Sequence, residues 1–221
     1  MYTNVDPENT ASIFDHYNSY VDDPPGVPTK LVEKIEVRRL REEPFYALQE
    51  RRLLRYIGRI DPLSLEEYVA VGGYQGLKNA LATSPDQVIG EVTNSGLRGR
   101  GGAGFLTGTK WKFARDAKDD QKYAICNADE GDPGAFMNRL TAEGNPFMII
   151  EGLTISAYAV GANNGYIFVR AEKPLMAERL RHAAMLAKER GYLGQDILDG
   201  NFSLNVDVIL SAGAFICGEE T

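Results

Sequence analysis

Apolar positions along the chain keep two rhythms. Up to Ser95 they recur mostly at helical spacing, and beyond Tyr123 they form short strand-like runs separated by amphipathic helices. From Pro44 the spacing of Phe45, Leu48, Leu53 and Tyr56 predicts a helix that stops at Gly58, with Arg51, Arg52 and Arg55 on its other faces. Those arginines read either as a solvated face or as a basic edge for a partner. Ser64 with Glu67 forms a capping box for a short helix ending near Gly72-Gly73, and Tyr74–Ala82 is another. Ser84-Pro85-Asp86-Gln87 repeats the start signal, for a helix carrying Val88, Ile89 and Val92 and ending near Ser95-Gly96.

The second rhythm starts with Tyr123–Cys126, read as a short buried strand, followed by the acidic turn Asn127–Gly134. Asn145-Pro146 opens a helix with Ile150, Leu153, Ala157 and Val160 on one stripe, closed by Gly161. Tyr166–Val169 is the next strand. A helix over Glu172–Arg190 presents Met176, Leu180, Ala183, Ala184 and Ala187 and closes at Gly191, and Leu204–Leu210 alternates as a further strand. Alternation of this kind predicts an α/β fold, a mostly parallel sheet flanked by helices, with ligands at the carboxyl ends of the strands. Leu31–Leu40 alternates loosely as one more strand. The organisation expected is an extended polar tail at 1–30, a mainly helical region at 31–95 and a ligand-binding α/β domain at 96–221.

Between the two rhythms lies Ser95–Phe113, SGLRGRGGAGFLTGTKWKF, with six glycines. So many glycines weaken any helix or strand interior but let backbone come close to a ligand. Arg98, Arg100 and Lys110 point to an anionic ligand, and Phe105 and Phe113 to one with a flat apolar part; Trp111 between them is read as core. Thr107 or Thr109 is placed to cap a short helix over Lys110–Ala114, and a glycine loop feeding a helix N-terminus is an anion site. A nucleotide or flavin has both properties.

Composition narrows this further. The 221 residues carry a net charge of −7, which argues against nucleic acid or an anionic membrane as partner. No apolar run reaches the roughly 18 residues of a membrane helix, and the first ten residues lack the basic and apolar regions of a signal peptide. A cytoplasmic location and no direct membrane insertion are expected. The two cysteines, Cys126 and Cys217, read as buried thiols, and with His16 and His182 they do not make a metal site. His16 is expected to be solvated and His182 structural.

Gly99-x-Gly101-x-x-Gly104 matches the dinucleotide fingerprint in form, but helical signals precede it where a strand should. A Rossmann dehydrogenase is therefore the weaker reading. The block Ser95–Thr221 instead resembles the family of NADH-binding, FMN-containing flavoproteins of respiratory complex I and of NAD-linked and electron-bifurcating hydrogenases. Three motifs carry the resemblance: Gly96–Phe113, Ile125–Gly134 (ICNADEGDPG) and Ile216–Thr221 (ICGEET). Gly131-Asp132, Arg59-Ile60-Asp61-Pro62 and Gly72-Gly73-Tyr74 resemble the hydrogenase branch more than the complex I branch.

The resemblance implies a Rossmann-like FMN-binding domain and a set of roles. FMN would meet Gly99, Arg100, Gly101 and Gly102, with Lys110 at its ring or phosphate. Asn127, Asp129 and Glu130 would serve its polar edge and ribityl hydroxyls, and Gly218 and Glu219 would close the site. NADH or NADPH would stack on Phe105 and Phe113, with Asp132 and Glu220 accepting from it. From the residues alone, the two rings also read as core packing and the carboxylates as helix caps or solvated turns. Hydride would pass between nicotinamide and FMN, then single electrons to iron–sulfur partners: a thioredoxin-like 2Fe-2S protein and hydrogenase or complex I clusters. No catalytic side chain is required. Phe215 stands where the family usually has Tyr. The family's C-terminal region, with its 4Fe-4S cluster, is not in this chain, which reads as the N-terminal part of such a protein. A non-catalytic assembly module is the alternative that this reading raises.

Overall fold

A computed structural model of the chain describes residues 44–100, 102–132 and 134–212. It divides into two compact units, Met1–Arg52 and Leu53–Thr221. Of the first, the described part holds helix α1 (Pro44–Ala47). The helix expected to continue to Gly58 stops there; of its apolar stripe Phe45 is 73%, Leu48 90% and Leu53 55% exposed, and Tyr56 alone packs on the core among the described residues. A short helix without a buried face gains too little to propagate. The expected strand at Leu31–Leu40 and the tail at 1–30 lie outside the described residues.

In the second unit, α2 (Leu65–Ala70), α3 (Gln75–Leu81) and α4 (Pro85–Asn94) precede the glycine stretch. Then follow α5 (Thr107–Asp116), β1 (Tyr123–Ala128), α6 (Met137–Gly144), α7 (Pro146–Val160), β2 (Asn164–Arg170), α8 (Pro174–Glu189) and β3 (Asn205–Ser211). Start signals do what their chemistry predicts. Ser84 Oγ accepts from Gln87 N and Gln87 Oε1 from Ser84 N, a full capping box. At α2 only half of the box closes: Ser64 Oγ accepts from Glu67 N, but the Glu67 carboxylate turns to Asp61 N at 2.7 Å. Asn145 caps α7, and Gly161 (φ 81°) and Gly191 (φ 72°) follow the last turns of α7 and α8 in the left-handed conformation that glycine tolerates.

The three strands are all parallel in the order β1-β2-β3, with Ala128 opposite Val169 and Val169 opposite Leu210. This is the α/β architecture expected. One face of the sheet, through Ala124, Ala128, Ile167 and Val169, packs against α7 and α8, whose Ile150, Ala157, Met176, Leu180 and Ala183 are fully buried. The other face is open among the described residues: Tyr123 is 55%, Ile125 68% and Ile209 40% exposed. The expectation of a buried β1 is thus half wrong; alternate residues face out, as in a sheet covered on one side.

Helices α2 and α3 are tied to α7 by a buried side chain. Glu151, in the middle of α7, accepts from Tyr68 Oη at 2.6 Å, Tyr74 N at 2.8 Å and Leu77 N at 3.0 Å. Its carboxyl group therefore caps α3, whose own N-cap residue, Tyr74, offers no side-chain bond and sits at φ 59°. The Tyr74 ring stacks on Tyr192 at 4.0 Å. Burial first, then the hydrogen bond to Glu151, pushes the Tyr68 phenol well above its ordinary range. His182, half-buried on α8, places a ring nitrogen 3.1 Å from Leu63 O, a structural contact.

Candidate functional site

The glycine stretch is a closed loop with a stem. Thr107 N donates to Leu97 O at 2.9 Å, Gly99 N to Phe105 O at 2.8 Å, and Arg98 pairs with Leu106 across the stem. The Arg98 guanidinium donates to Gly104 O, which fixes the far side of the loop. Of the described residues, Arg100, Gly102, Ala103 and Gly104 lie between the two ends of the last rung. Gly102 (φ 113°) and Gly104 (φ 63°) both take backbone conformations that a side chain would strain.

The Gly99 N–H is spent on the stem, which leaves its Cα face and carbonyl to meet a ligand. Arg100 and Lys110 are exposed, and Gly101 lies outside the described residues. Neither Thr107 nor Thr109 caps α5. Thr107 is its first residue, Leu106 stands at the cap position, and no side chain among the described residues caps the helix N-terminus. That end of the dipole is left to something else.

Helix α5 lies tight on α4 because Gly108 has no side chain. A Cβ there would come within 2.1 Å of Thr93 Oγ1 and 2.7 Å of both Thr93 Cα and Thr93 N. Phe105, in the loop stem, and Phe113, on α5, are 51% and 65% exposed, with ring centroids 6.5 Å apart. Core packing does not account for them. Trp111 between them does pack on the core, as expected.

The acidic turn begins where β1 ends. Asn127 Oδ1 accepts from Asp129 N at 3.0 Å, which sets the turn. Glu130 is buried at 7% exposure and uses both carboxylate oxygens to cap α6, through Asn138 N at 2.8 Å and Arg139 N at 3.1 Å. The helix-cap reading accounts for this residue. Asp132 is exposed. Gly218, Glu219 and Glu220 lie outside the described residues, as do Cys217 and His16. Burial raises the Cys126 thiol to about 11, which leaves it unreactive.

Asp129 is different. Its side chain is 6% exposed, Oδ1 stands 3.6 Å from Arg170 Nη1, and Oδ2 is buried with no hydrogen-bond partner among the described residues. A native buried oxygen of this kind is normally bonded to something. The orphan acceptor, the uncapped α5 terminus and the positive-φ glycines fit a ligand carrying both hydroxyls and phosphate, as FMN does. Sequence reading passed over Arg170, since a single arginine ending a strand belongs to no motif.

Among the described residues no helix is long and apolar enough to cross a membrane, and no group of three or more acidic, His or Cys side chains is placed to hold a metal. Known proteins similar to this chain give its family. The NADP-reducing hydrogenase component HndC of Solidesulfovibrio fructosivorans is 49% identical over 167 residues, covering 76% of this chain and 34% of the relative. A component of the NADH-quinone oxidoreductase of Aquifex aeolicus is 51% identical over 158 residues, covering 72% and 37%. The chain thus spans about a third of the length of these curated relatives. A crystal structure of an NAD+-reducing [NiFe]-hydrogenase in the H2-reduced state superposes with a TM-score of 0.59 at 31% identity, over 78% of this chain and 27% of that one. The family model of the Nuo51 FMN-binding domain matches residues 92–221, the stretch that contains the glycine loop, the acidic turn and the whole sheet, and the chain belongs to that family.

Proposed function

We propose that this chain is the FMN-binding part of a cytoplasmic NAD(P)H oxidoreductase subunit that hands single electrons to iron–sulfur partners in a hydrogenase-type complex. The observation that carries this reading is the pair of exposed rings, Phe105 at the end of the loop stem and Phe113 on the helix that follows it. Two solvent-facing aromatics beside a loop built for close backbone approach suit a flat nicotinamide next to a flat flavin. FMN, when bound, supplies the exchange between a hydride and single electrons.

The chain's own residues bind, orient and exclude water. Gly99, Arg100, Gly101 and Gly102 would approach FMN, and Lys110 would meet phosphate or ring. Asn127 and Asp129 would take the polar edge and the ribityl hydroxyls. Glu130, committed to α6, would support that turn from beneath. Gly218 and Glu219 would close the site, and Asp132 and Glu220 would accept from the nicotinamide nucleotide. Hydrogenase-named and quinone-named relatives stand at nearly equal identity, 49% and 51%. The preference for the hydrogenase branch rests on Gly131-Asp132 and on the lead-in motifs. The iron–sulfur partners are those of the relatives' complexes, with the 4Fe-4S cluster in sequence beyond the matched stretch.

The decisive experiment is the visible absorbance of the chain, purified anaerobically and incubated with FMN, before and after NADH. A bound flavin band that NADH bleaches is expected. A chain that takes up no flavin is the result that favours an assembly role. A second expectation concerns the rings. Phe105→Ala and Phe113→Ala should each raise KM for NADH by about tenfold, since aromatic stacking is worth about 0.5–1.5 kcal/mol. FMN content should not change, and because both rings are exposed, neither should thermal stability. Loss of flavin in either variant would place the ring in the FMN site instead.

A further inference from the structure

Resting on this reading of the domain, we infer that Arg170 is a positioning residue for the hydroxyl-bearing chain of the flavin, acting through Asp129. The two residues leave adjacent strands at the same end of the sheet: Ala128, just before Asp129, registers with Val169, just before Arg170. Both side chains are shielded, at 6% and 13% exposure. Arg170 Nη1 stands 3.6 Å from Asp129 Oδ1, and Arg170 Nε 2.5 Å from Glu172 Oε1. The guanidinium is thus set between two carboxylates, one buried and one half-exposed.

This arrangement decides what Asp129 can do. A buried carboxylate needs both a counter-charge and donors for its oxygens. Arg170 supplies the charge from the side of Oδ1. Oδ2 keeps its lone pairs, has no donor among the described residues and is closed off from water. Asp129 N is already bonded to Asn127 Oδ1, so the turn cannot rotate the side chain away cheaply. What remains is a fixed acceptor at the carboxyl end of β1, where ligands of open α/β sheets bind. A hydroxyl matches it; a phosphate oxygen, being an acceptor and negative, does not. Arg170 therefore acts on the polyol, and the phosphate is left to the glycine loop and α5.

The test uses FMN and riboflavin, which share the polyol but differ in the phosphate, with flavin fluorescence quenching as the readout. Arg170→Met and Asp129→Asn should each weaken both ligands, by about tenfold and by the same factor for each. The double variant should lose no more than the stronger single one, because the two residues act as one unit. Arg170→Lys should recover part of the loss, and Glu172→Gln should change affinity by less than twofold. An effect of Arg170→Met on FMN alone would make Arg170 a phosphate ligand and overturn the inference. So would additive losses, or unchanged affinity. Failure of the wild-type chain to bind either flavin would instead remove the FMN reading on which the inference rests. Should Arg170→Met not fold, Asp129→Asn and Arg170→Lys carry the same comparison.

Discussion

Gly108→Ala is expected to lower stability by about 3 kcal/mol, or roughly 6–12 °C in Tm for a unit of this size, and to weaken FMN binding with it. The added methyl would lie 2.7 Å from Thr93 Cα and N, which are backbone and cannot rotate aside. Helix α5 must then lift from α4, and the loop stem moves with it because Thr107 N is bonded to Leu97 O. Alanine favours helix by about 1 kcal/mol over glycine, so the clash has to outweigh that gain. Gly90, within α4, provides the control: a Cβ there meets nothing within 4 Å. Gly90→Ala should stabilise the chain by about 0.5–1 kcal/mol. Opposite signs for the same substitution on two packed helices, measured by thermal melts, would tie the effect to the α4–α5 contact. Equal signs would remove Gly108 from this account.

Glu151→Ala should cost about 4 kcal/mol, the largest effect expected of any single change. It removes the acceptor of Tyr68 Oη, Tyr74 N and Leu77 N together, and all three donors are buried. Glu151→Gln should cost less, about 2 kcal/mol. An amide oxygen at the Oε2 position keeps two of the bonds but sets an N–H against Leu77 N. Urea unfolding would give both numbers, and hydrogen exchange would show α3 losing protection first. A midpoint for Glu151→Ala close to that of the unaltered chain would mean that α3 does not depend on this carboxyl group.

These two residues mark the limit of what the sequence discloses. Local signals were legible: Ser84-Pro85-Asp86-Gln87, Asn145-Pro146, Gly161 and Gly191 each begin or end a helix where their chemistry requires. The glycine loop stood out because so many glycines weaken any helix or strand interior. Long-range partners were not legible. Helix α6 went unseen because its N-terminus is capped by Glu130, eight and nine residues back along the chain, inside a run that reads as a plain acidic turn. The long helix at Pro44 was overread because periodicity shows an apolar stripe but not whether anything buries it. Gly108 looked like one more member of the glycine loop; only its distance to Thr93 shows that its part is helix packing. Arg170 and Asp129 are 41 residues apart in number and neighbours only through strand register.

The stem of the glycine loop also bears on affinity. With both rungs formed within the protein itself, the conformational entropy of closing this segment is lost when the chain folds. A ligand arriving at this loop does not have to close it again. More of each contact it makes then appears as binding free energy.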